Sequence, residues 1–346
     1  MSTVDVVVPC YNYAHYLPGC VASILSQRDV EVRVLIIDDQ SPDNTPGVGQ
    51  SLAAADPRVI YTRNEKNLRL IGTSNRGVID WARADYVLLL SADDGLTPGA
   101  LARATKLMDA NPDIGLTWGL AQIMGDGADL PQPADAGDAE TRVLEGMDFI
   151  KSLFARGNFI FTPTAVVRTS VQRAVGGYDT AFPYTSDLDM WLRIGARGKV
   201  GVINAPQGLY RIHASNLSHQ WQRGPLGDRR VVIETLTHFV NGHVARLPAL
   251  ADLLSEKRRQ IGLEALAVAN WTYAVDDAAH ADALALAGEL LGDLRKQPAW
   301  WRLQLKKMLG AGATHALRRA KSALPTQAGS EHYAAGDIAG WWPGAS

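Results

Sequence analysis

Residues 86–94 read Tyr86-Val87-Leu88-Leu89-Leu90-Ser91-Ala92-Asp93-Asp94. An unbroken aliphatic row without polar alternation fits a strand covered on both faces, as in a parallel sheet, and the two carboxylates then fall just past its carboxyl end. The same form recurs upstream. Val6-Val7-Val8 runs into Pro9-Cys10-Tyr11-Asn12, and Val34-Leu35-Ile36-Ile37 runs into Asp38-Asp39-Gln40-Ser41-Pro42-Asp43. Between and after them lie the helical stretches Leu17–Gln27, Gly49–Ala55 and Asn75–Arg83 and a short strand, Val59–Tyr61. This βαβ rhythm predicts an α/β domain on a parallel sheet. Open sheets of that kind bind ligands beyond the carboxyl ends of their strands, so the polar groups after each run are expected to converge on one edge.

Further along, Gly125–Gly137 is rich in Gly, Pro, Ala and Asp and reads as a surface loop. Phe149–Phe154, Thr164–Arg168 and Asp187–Arg197 resume the mixed pattern, and Val200–Tyr210 predicts one or two closing strands. From Asp228 the chain turns Ala/Leu-rich with helical spacing, over Asp228–Arg246, Ala249–Val275, Asp277–Leu294 and Trp300–Ala323. The expected organisation is therefore an α/β domain over 1–223 and an all-helical region over 224–346, which suits a length of 346 residues.

Composition narrows the function. Hydrophobic residues make up 47% and charged residues 20%, as in soluble globular proteins. With 34 Lys+Arg against 36 Asp+Glu, the net charge of −2 gives no general attraction for nucleic acid. Cys10 and Cys20 make neither a disulfide framework nor a zinc spacing, and the first residues lack the form of a secretory signal, so a cytoplasmic location is expected.

Asp93 and Asp94 would set hard oxygen ligands at the mouth of the sheet, where Mg²⁺ or Mn²⁺ can bridge a diphosphate. A bare Asp pair would equally cap a helix starting near Pro98. Asp187 and Asp189 fall in the first turn of an apparent helix with Met190, Trp191 and Ile194 on its apolar face, where carboxylates suit the positive end of the helix dipole. Arg211 and His213, two apart on a strand, share a face.

Taken in order, Val8–Asn12, Ile36–Asp43 and Ser91–Asp94 followed by Pro98 and Leu101 resemble the family 2 glycosyltransferases of GT-A fold. The resemblance continues through Gly176-Gly177-Tyr178-Asp179, Ser186–Arg193 and Tyr210-Arg211-Ile212-His213, about the first two-thirds of the chain. It implies a Rossmann-like nucleotide-diphospho-sugar transferase fold with a mixed, mostly parallel sheet, and an inverting transfer from a nucleotide sugar to a hydroxyl. Pro9, Tyr11 and Asp39 match positions holding base and ribose, and Asn12, Arg69, Asn75 and Asp93 are counted with the nucleotide site. An acceptor carboxylate at Asp39 suits uracil or thymine, which carry a ring N–H that cytosine lacks. The donor is therefore expected to be a UDP-sugar, then a dTDP-sugar, with a GDP-sugar also compatible. Asp93, Asp94 and His213 match the metal motif; which of the two aspartates takes the ion is open. Asp187 matches the catalytic base, and Arg211 the neighbourhood of the diphosphate.

The chain departs from the family at Ser91 and Ser186, where acids are usual, and at Arg69, where glycine is common. The usual basic residue before Asn75 is missing, which makes Arg69 or Arg76 the expected replacement for the phosphate contact. The acceptor the family suggests is a glycan or lipid-linked intermediate of a cell-surface polysaccharide. A nucleotidyltransferase would need a Gly-rich basic loop after the first strand, which Pro9-Cys10-Tyr11-Asn12 is not. A catalytically silent nucleotide-binding scaffold is the remaining rival.

The span 295–324 carries eight Lys/Arg and no acid, with Trp300, Trp301, Leu305, Met308 and Leu309 interleaved. Two readings fit it: an interfacial basic helix resting on an anionic membrane, or a packed helix with its tryptophans in the core. Trp341-Trp342-Pro343 is expected either to dock back on the chain or to pair with another subunit in an oligomer. The sequon Asn216-Leu217-Ser218 reads as chance.

Overall fold

In the computed structural model the described residues are 1–128, 137–216, 226–319 and 333–343. They fall into two compact units, Met1–Ala214 together with Tyr333–Ser346, and Ser215–His332.

The first unit is built on a ten-stranded sheet: β1 (Thr3–Cys10), β2 (Glu31–Asp38), β3 (Val59–Arg63), β4 (Tyr86–Leu89), β5 (Gly95–Leu96), β6 (Ile114–Gly125), β7 (Thr141–Leu144), β8 (Val166–Arg168), β9 (Lys199–Ile212) and β10 (Ile338–Ala339). The order is β3-β2-β1-β4-β8-β6-β9-β5, with β10 on β6 and β7 on β9. Strands β1 to β4, β6 and β9 share one direction, and β5, β7, β8 and β10 oppose it. Seven helices accompany the sheet: α1 (Leu17–Leu25), α2 (Thr45–Ala55), α3 (Arg69–Asn75), α4 (Ala100–Ala110), α5 (Gly146–Arg156), α6 (Thr169–Val175) and α7 (Ser186–Gly195).

The uninterrupted apolar runs are explained by cover on both faces. Val4, Val6, Val8 and Cys10 join Leu17, Cys20, Val21 and Ile24 of α1 in one core cluster. Val7, pointing the other way, meets the π-helical turn Arg76–Trp81 that continues α3, so closely that a Cβ on Gly77 would fall 2.1 Å from Val7 Cγ1.

Two features differ from the sequence reading, and a third settles a choice that reading left open. Ile114–Gly125, which that reading passes over, is the long strand β6. Gly115, Gly119 and Gly125 dilute its strand signal, yet at Gly119 the glycine answers a close approach: an added Cβ would lie 2.4 Å from Gln207 Cγ and within 3 Å of the Ala205 and Ile203 carbonyls. The closing strands are one 14-residue strand, β9, which keeps pace with β6 through register shifts on either side of Leu120. The residues from Tyr333, expected within the helical region 224–346, pack with the first unit, because Ile338 and Ala339 pair with Gln122 and Ala121. Residues 129–136 of the expected loop and part of the sequon lie outside the described residues.

The second unit contains α8 (Arg229–His243), α9 (Ala249–Thr272), α10 (Asp277–Leu291) and α11 (Pro298–Arg319). Ile261, Ala265, Leu266 and Ala269 of α9 meet Ala283, Leu286 and Ala287 of α10, and the four alanines among them let the helices approach closely. Asp276 caps α10 by accepting from the Ala279 N–H at 2.9 Å. Among the described residues no helix is long and apolar enough to cross a membrane.

Gly119→Ala should lower stability by about 1–3 kcal/mol, because two backbone carbonyls cannot move aside as a side chain could. Urea unfolding checks this; an unchanged midpoint would mean that the β6–β9 irregularity yields freely.

Candidate active site

The carboxyl ends of β1 and β2 are tied into one corner. After β1 the chain turns through Asn12 in the left-handed region (φ +62°), and its N–H donates to Ser41 Oγ at 3.0 Å. The Ala14 N–H donates to Asp43 at 2.9 Å. Tyr11 stands half exposed beside this corner, whereas Pro9 is buried within β1. Asp38 is structural: it accepts from the Ser41 N–H and Tyr61 hydroxyl and pairs with Arg63 at 3.4 Å.

Asp39 is held differently. Its Oδ1 accepts from Asn64 Nδ2 and from the Leu68 N–H, both at 2.7 Å, and its carbonyl accepts from Asn67 Nδ2 at 2.9 Å. The other carboxylate oxygen has no hydrogen-bond partner among the described residues. Arg76, expected at the phosphates, donates instead to Asn64 Oδ1 and to Thr62 Oγ1, so it steadies the residue that steadies Asp39. Arg69 is exposed with φ +61°, the left-handed geometry that glycine adopts at no cost, and its N–H donates to Asn67 Oδ1 at 3.0 Å. Asn75, expected at the nucleotide, grips the Tyr178 backbone with both ends of its amide, at 2.7 and 2.8 Å. A Cβ on Gly177 would strike that amide, which accounts for the Gly176-Gly177-Tyr178 signature.

The acidic turn follows β4. Pairing of Gly95 and Leu96 with Leu209 and Gly208 fixes it against β9. The Arg211 N–H donates to Asp94 Oδ1 at 3.0 Å, and His213 Nε2 lies 2.9 Å from Asp93 Oδ2. Tyr13 and Tyr16 flank the His213 ring, with centroids 5.5 and 5.7 Å away. Arg211 is buried, and its Nε and Nη1 donate to the carbonyls of Asp93, Gly125 and Ala128. It clamps the acidic turn to the end of β6, rather than reaching toward a diphosphate as the resemblance implied.

Burial and the neighbouring Asp93 charge push the Asp94 carboxyl well above its ordinary range. Asp93 Oδ1 is buried with no hydrogen-bond partner. A buried carboxylate oxygen left unsatisfied beside a second carboxylate is costly in a bare protein and suits a divalent cation. Among the described residues no three His, Cys, Asp or Glu side chains form a metal-holding group. The pair therefore fits the kind of site in which one or two carboxylates share an ion with substrate phosphates, not an all-protein cage. His213, spent on Asp93, stands behind that pair.

Asp187 opens α7. Its Oδ1 accepts from the Leu188 N–H at 2.7 Å and its Oδ2 from Asn158 Nδ2 at 2.6 Å. Burial raises its pKa to about 6, against the lowering effect of both hydrogen bonds. Asp189 pairs with Arg193 at 2.8 Å. Arg193 in turn donates to the Val175 and Gly177 carbonyls, which makes Asp189 a structural acid. Asn64 and Asn158 escape the sequence reading because a lone loop asparagine carries no spacing signal.

The model of the family described as glycosyl transferase family 2 matches residues 5–161. Those residues belong to that family. An uncharacterized protein of Mycobacterium tuberculosis strain CDC 1551 is 28% identical over 205 residues, 57% of this chain and 63% of its own length, so the match spans less than two thirds of that relative. Among solved structures, Staphylococcus aureus TarS 1–349 in complex with UDP-GlcNAc superposes with a TM-score of 0.55 at 15% identity, covering 85% of this chain and 92% of its own. The mannosyltransferase PcManGT of Pyrobaculum calidifontis, in complex with GDP-Man and Mn²⁺, gives 0.52 at 19% identity, covering 91% and 80%. At these identities the likeness is one of fold, the GT-A architecture.

A raised pKa on Asp187 sets a stability cost with a definite sign. The folded carboxyl holds its proton more tightly than the unfolded one, so stability is lost as pH climbs from about 4 through 6. Asp187→Asn should therefore gain on the native protein by about 1–2 kcal/mol between pH 4 and pH 8 in denaturant titrations. A difference that stays flat with pH would show that Asp187 bears no such burden.

Proposed function

We propose that this chain is a metal-dependent, inverting glycosyltransferase. It moves a sugar from a nucleoside-diphosphate donor, UDP foremost, to a hydroxyl of a glycan or lipid-linked acceptor in cell-surface polysaccharide synthesis. One observation carries the reading. The structural acids Asp5, Asp38 and Asp189 each pair with an arginine side chain, whereas Asp39, Asp93, Asp94 and Asp187 are held by amides, backbone N–H groups or His213. Their charge is left for a ligand.

Each then has a task. Asp39, steadied by Asn64 and Leu68, offers its second oxygen to the ring N–H of uracil. Asp93 and Asp94, with His213 behind them, would hold Mg²⁺ or Mn²⁺, which would neutralise charge on a departing diphosphate. Asp187 takes the proton of the acceptor hydroxyl as that oxygen attacks the anomeric carbon from the face opposite the leaving group. No covalent enzyme intermediate is needed. UDP-GlcNAc in TarS and GDP-Man with Mn²⁺ in PcManGT support a nucleotide sugar and a divalent ion on this fold.

The helical unit adds a membrane contact to the proposal. Trp301, Leu305, Met308 and Leu309 are 59, 56, 84 and 51% exposed along one side of α11, while Leu303 on the opposite side is buried. Lys and Arg surround this stripe in sequence without an acid, so two copies would repel, and an anionic lipid surface matches both its charge and its apolar face. A chain seated there at the cytoplasmic face would meet a lipid-linked acceptor.

Titration calorimetry with UDP, dTDP, GDP and CMP, each with Mn²⁺ and again with EDTA, tests the donor site. UDP or dTDP should bind with Mn²⁺ and lose affinity in EDTA or on Asp94→Ala. Asp187→Asn should keep UDP affinity yet release UDP from UDP-sugars about 10²–10⁴-fold more slowly, and the native rate should fall below an acid limb near pH 6. Undiminished turnover by Asp187→Asn would remove it as the base. Co-sedimentation should show binding to phosphatidylglycerol vesicles, weakened by Leu305→Glu, and none to phosphatidylcholine; equal recovery in both supernatants would count against the membrane contact.

A further inference from the structure

Residues 333–343 form a strap over the segment that carries Asn158. In its middle, β10 pairs with Gln122 and Ala121, the Gly336 N–H donates to the Ile123 carbonyl, and the Ile123 N–H returns a bond to Asp337, both at 2.9 Å. At one end the Tyr333 ring meets Phe161 with centroids 5.7 Å apart. At the other, Trp341 lies edge-on to Phe159 at 4.7 Å, under the Arg156 guanidinium at 5.0 Å. Arg142 stacks on Trp342 at 4.9 Å and donates to the Pro343 carbonyl.

Beneath the strap, Gly157–Phe161 leaves the end of α5 through Gly157 (φ +87°), a flexible joint. Phe159 has a floor as well as a roof: Trp118 and Phe149 lie 5.9 and 6.2 Å below it. Asn158 sits between the joint and this clamped ring. Its Oδ1 accepts from the Ile160 N–H at 3.2 Å, which turns its Nδ2 toward Asp187. Both aromatic contacts of the strap thus fall within three residues after the side chain that holds Asp187 Oδ2.

We infer that the strap Tyr333–Pro343 positions Asp187 for proton transfer by clamping Phe159 and Phe161, with Asn158 and Trp341 as positioning residues. The inference rests on Asp187 being the base. Without Trp341 the Phe159 ring can lift about Gly157, Asn158 leaves Asp187, and the carboxylate loses both its aim and a stabilising bond. Asp39, Asp93 and Asp94 of the donor corner take their side-chain hydrogen bonds from Asn64, Leu68, Arg211 and His213, none of which belongs to the strap. Other groups facing Asp187 are the Tyr178 hydroxyl and, on its own helix, Asp189, whose charge Arg193 matches.

The test uses the whole protein labelled with ¹³C at the aspartate carboxyls, the Asp187 signal being the one absent from Asp187→Asn. In Asn158→Ala and Trp341→Ala the Asp187 midpoint should rise by about 0.5–1 pH unit. UDP–Mn²⁺ affinity should stay within about twofold, and kcat for UDP release from UDP-sugars should fall about 10–100-fold with KM unchanged. Trp341→Phe should restore both readings. An unmoved midpoint in Trp341→Ala overturns the inference, as does parallel loss of UDP affinity, which would make the strap a general support of the sheet. If Asp187→Asn is inactive while the midpoints stay fixed, the strap alone fails; if Asp187→Asn still turns over, the base assignment fails, whatever the midpoints do.

Discussion

Removing carboxylates from water without giving them a cation is the constraint around which this molecule is arranged. Asp5, Asp38 and Asp189 meet it by ion pairing, which spends their charge on the fold. Asp93 and Asp94 are buried to a similar degree but share one backbone N–H and one imidazole between them. The native state bears that deficit because β5 pins the turn against β9 and the Arg211 guanidinium clamps it through the Asp93, Gly125 and Ala128 carbonyls. Rigidity here comes from neutral contacts, so charge remains to be matched from outside.

The same division of labour holds at Asp39. Arg76 could have paired with it and silenced it; instead it acts through Asn64, a neutral intermediary that fixes direction without cancelling charge. Asn158 stands in the same relation to Asp187. The GT-A sheet brings strand ends together, and a second rank of amides then leaves Asp39 and Asp187 without a paired cation.

Much of this was legible in the sequence, and the reason is physical. Aliphatic runs such as Val6–Val8 and Leu88–Leu90 can only be strands covered on both sides, and the carboxylates following them must then lie at one edge. Ile114–Gly125 was not legible, because Gly119 within it answers neighbours more than eighty residues away. Asn75 and Arg211 were expected at a ligand from the family resemblance, and Arg76 as a substitute for a missing basic residue, yet each is engaged with protein groups. Residue type marks a hydrogen-bonding capacity; only the fold says what uses it. The exposed stripe on α11 was readable as a pattern, while its outward direction depended on Leu303 being taken into the helical core.

The pairing of β10 with β6 also bears on how the chain is made. Strand β8 is three residues long and covers β6 only at Leu116 and Thr117, so the stretch around Ala121 and Gln122 relies on Ile338 and Ala339 for its partner on that side. More than two hundred residues of synthesis separate the two strands, and at ~5–20 residues per second that is a delay of roughly 10–40 s. Through that interval a nascent sheet presents an open edge of the kind that recruits foreign strands. The helical unit must be translated before the edge is closed, which makes the ribosome-bound chain, more than the finished protein, the species exposed to aggregation and to chaperones.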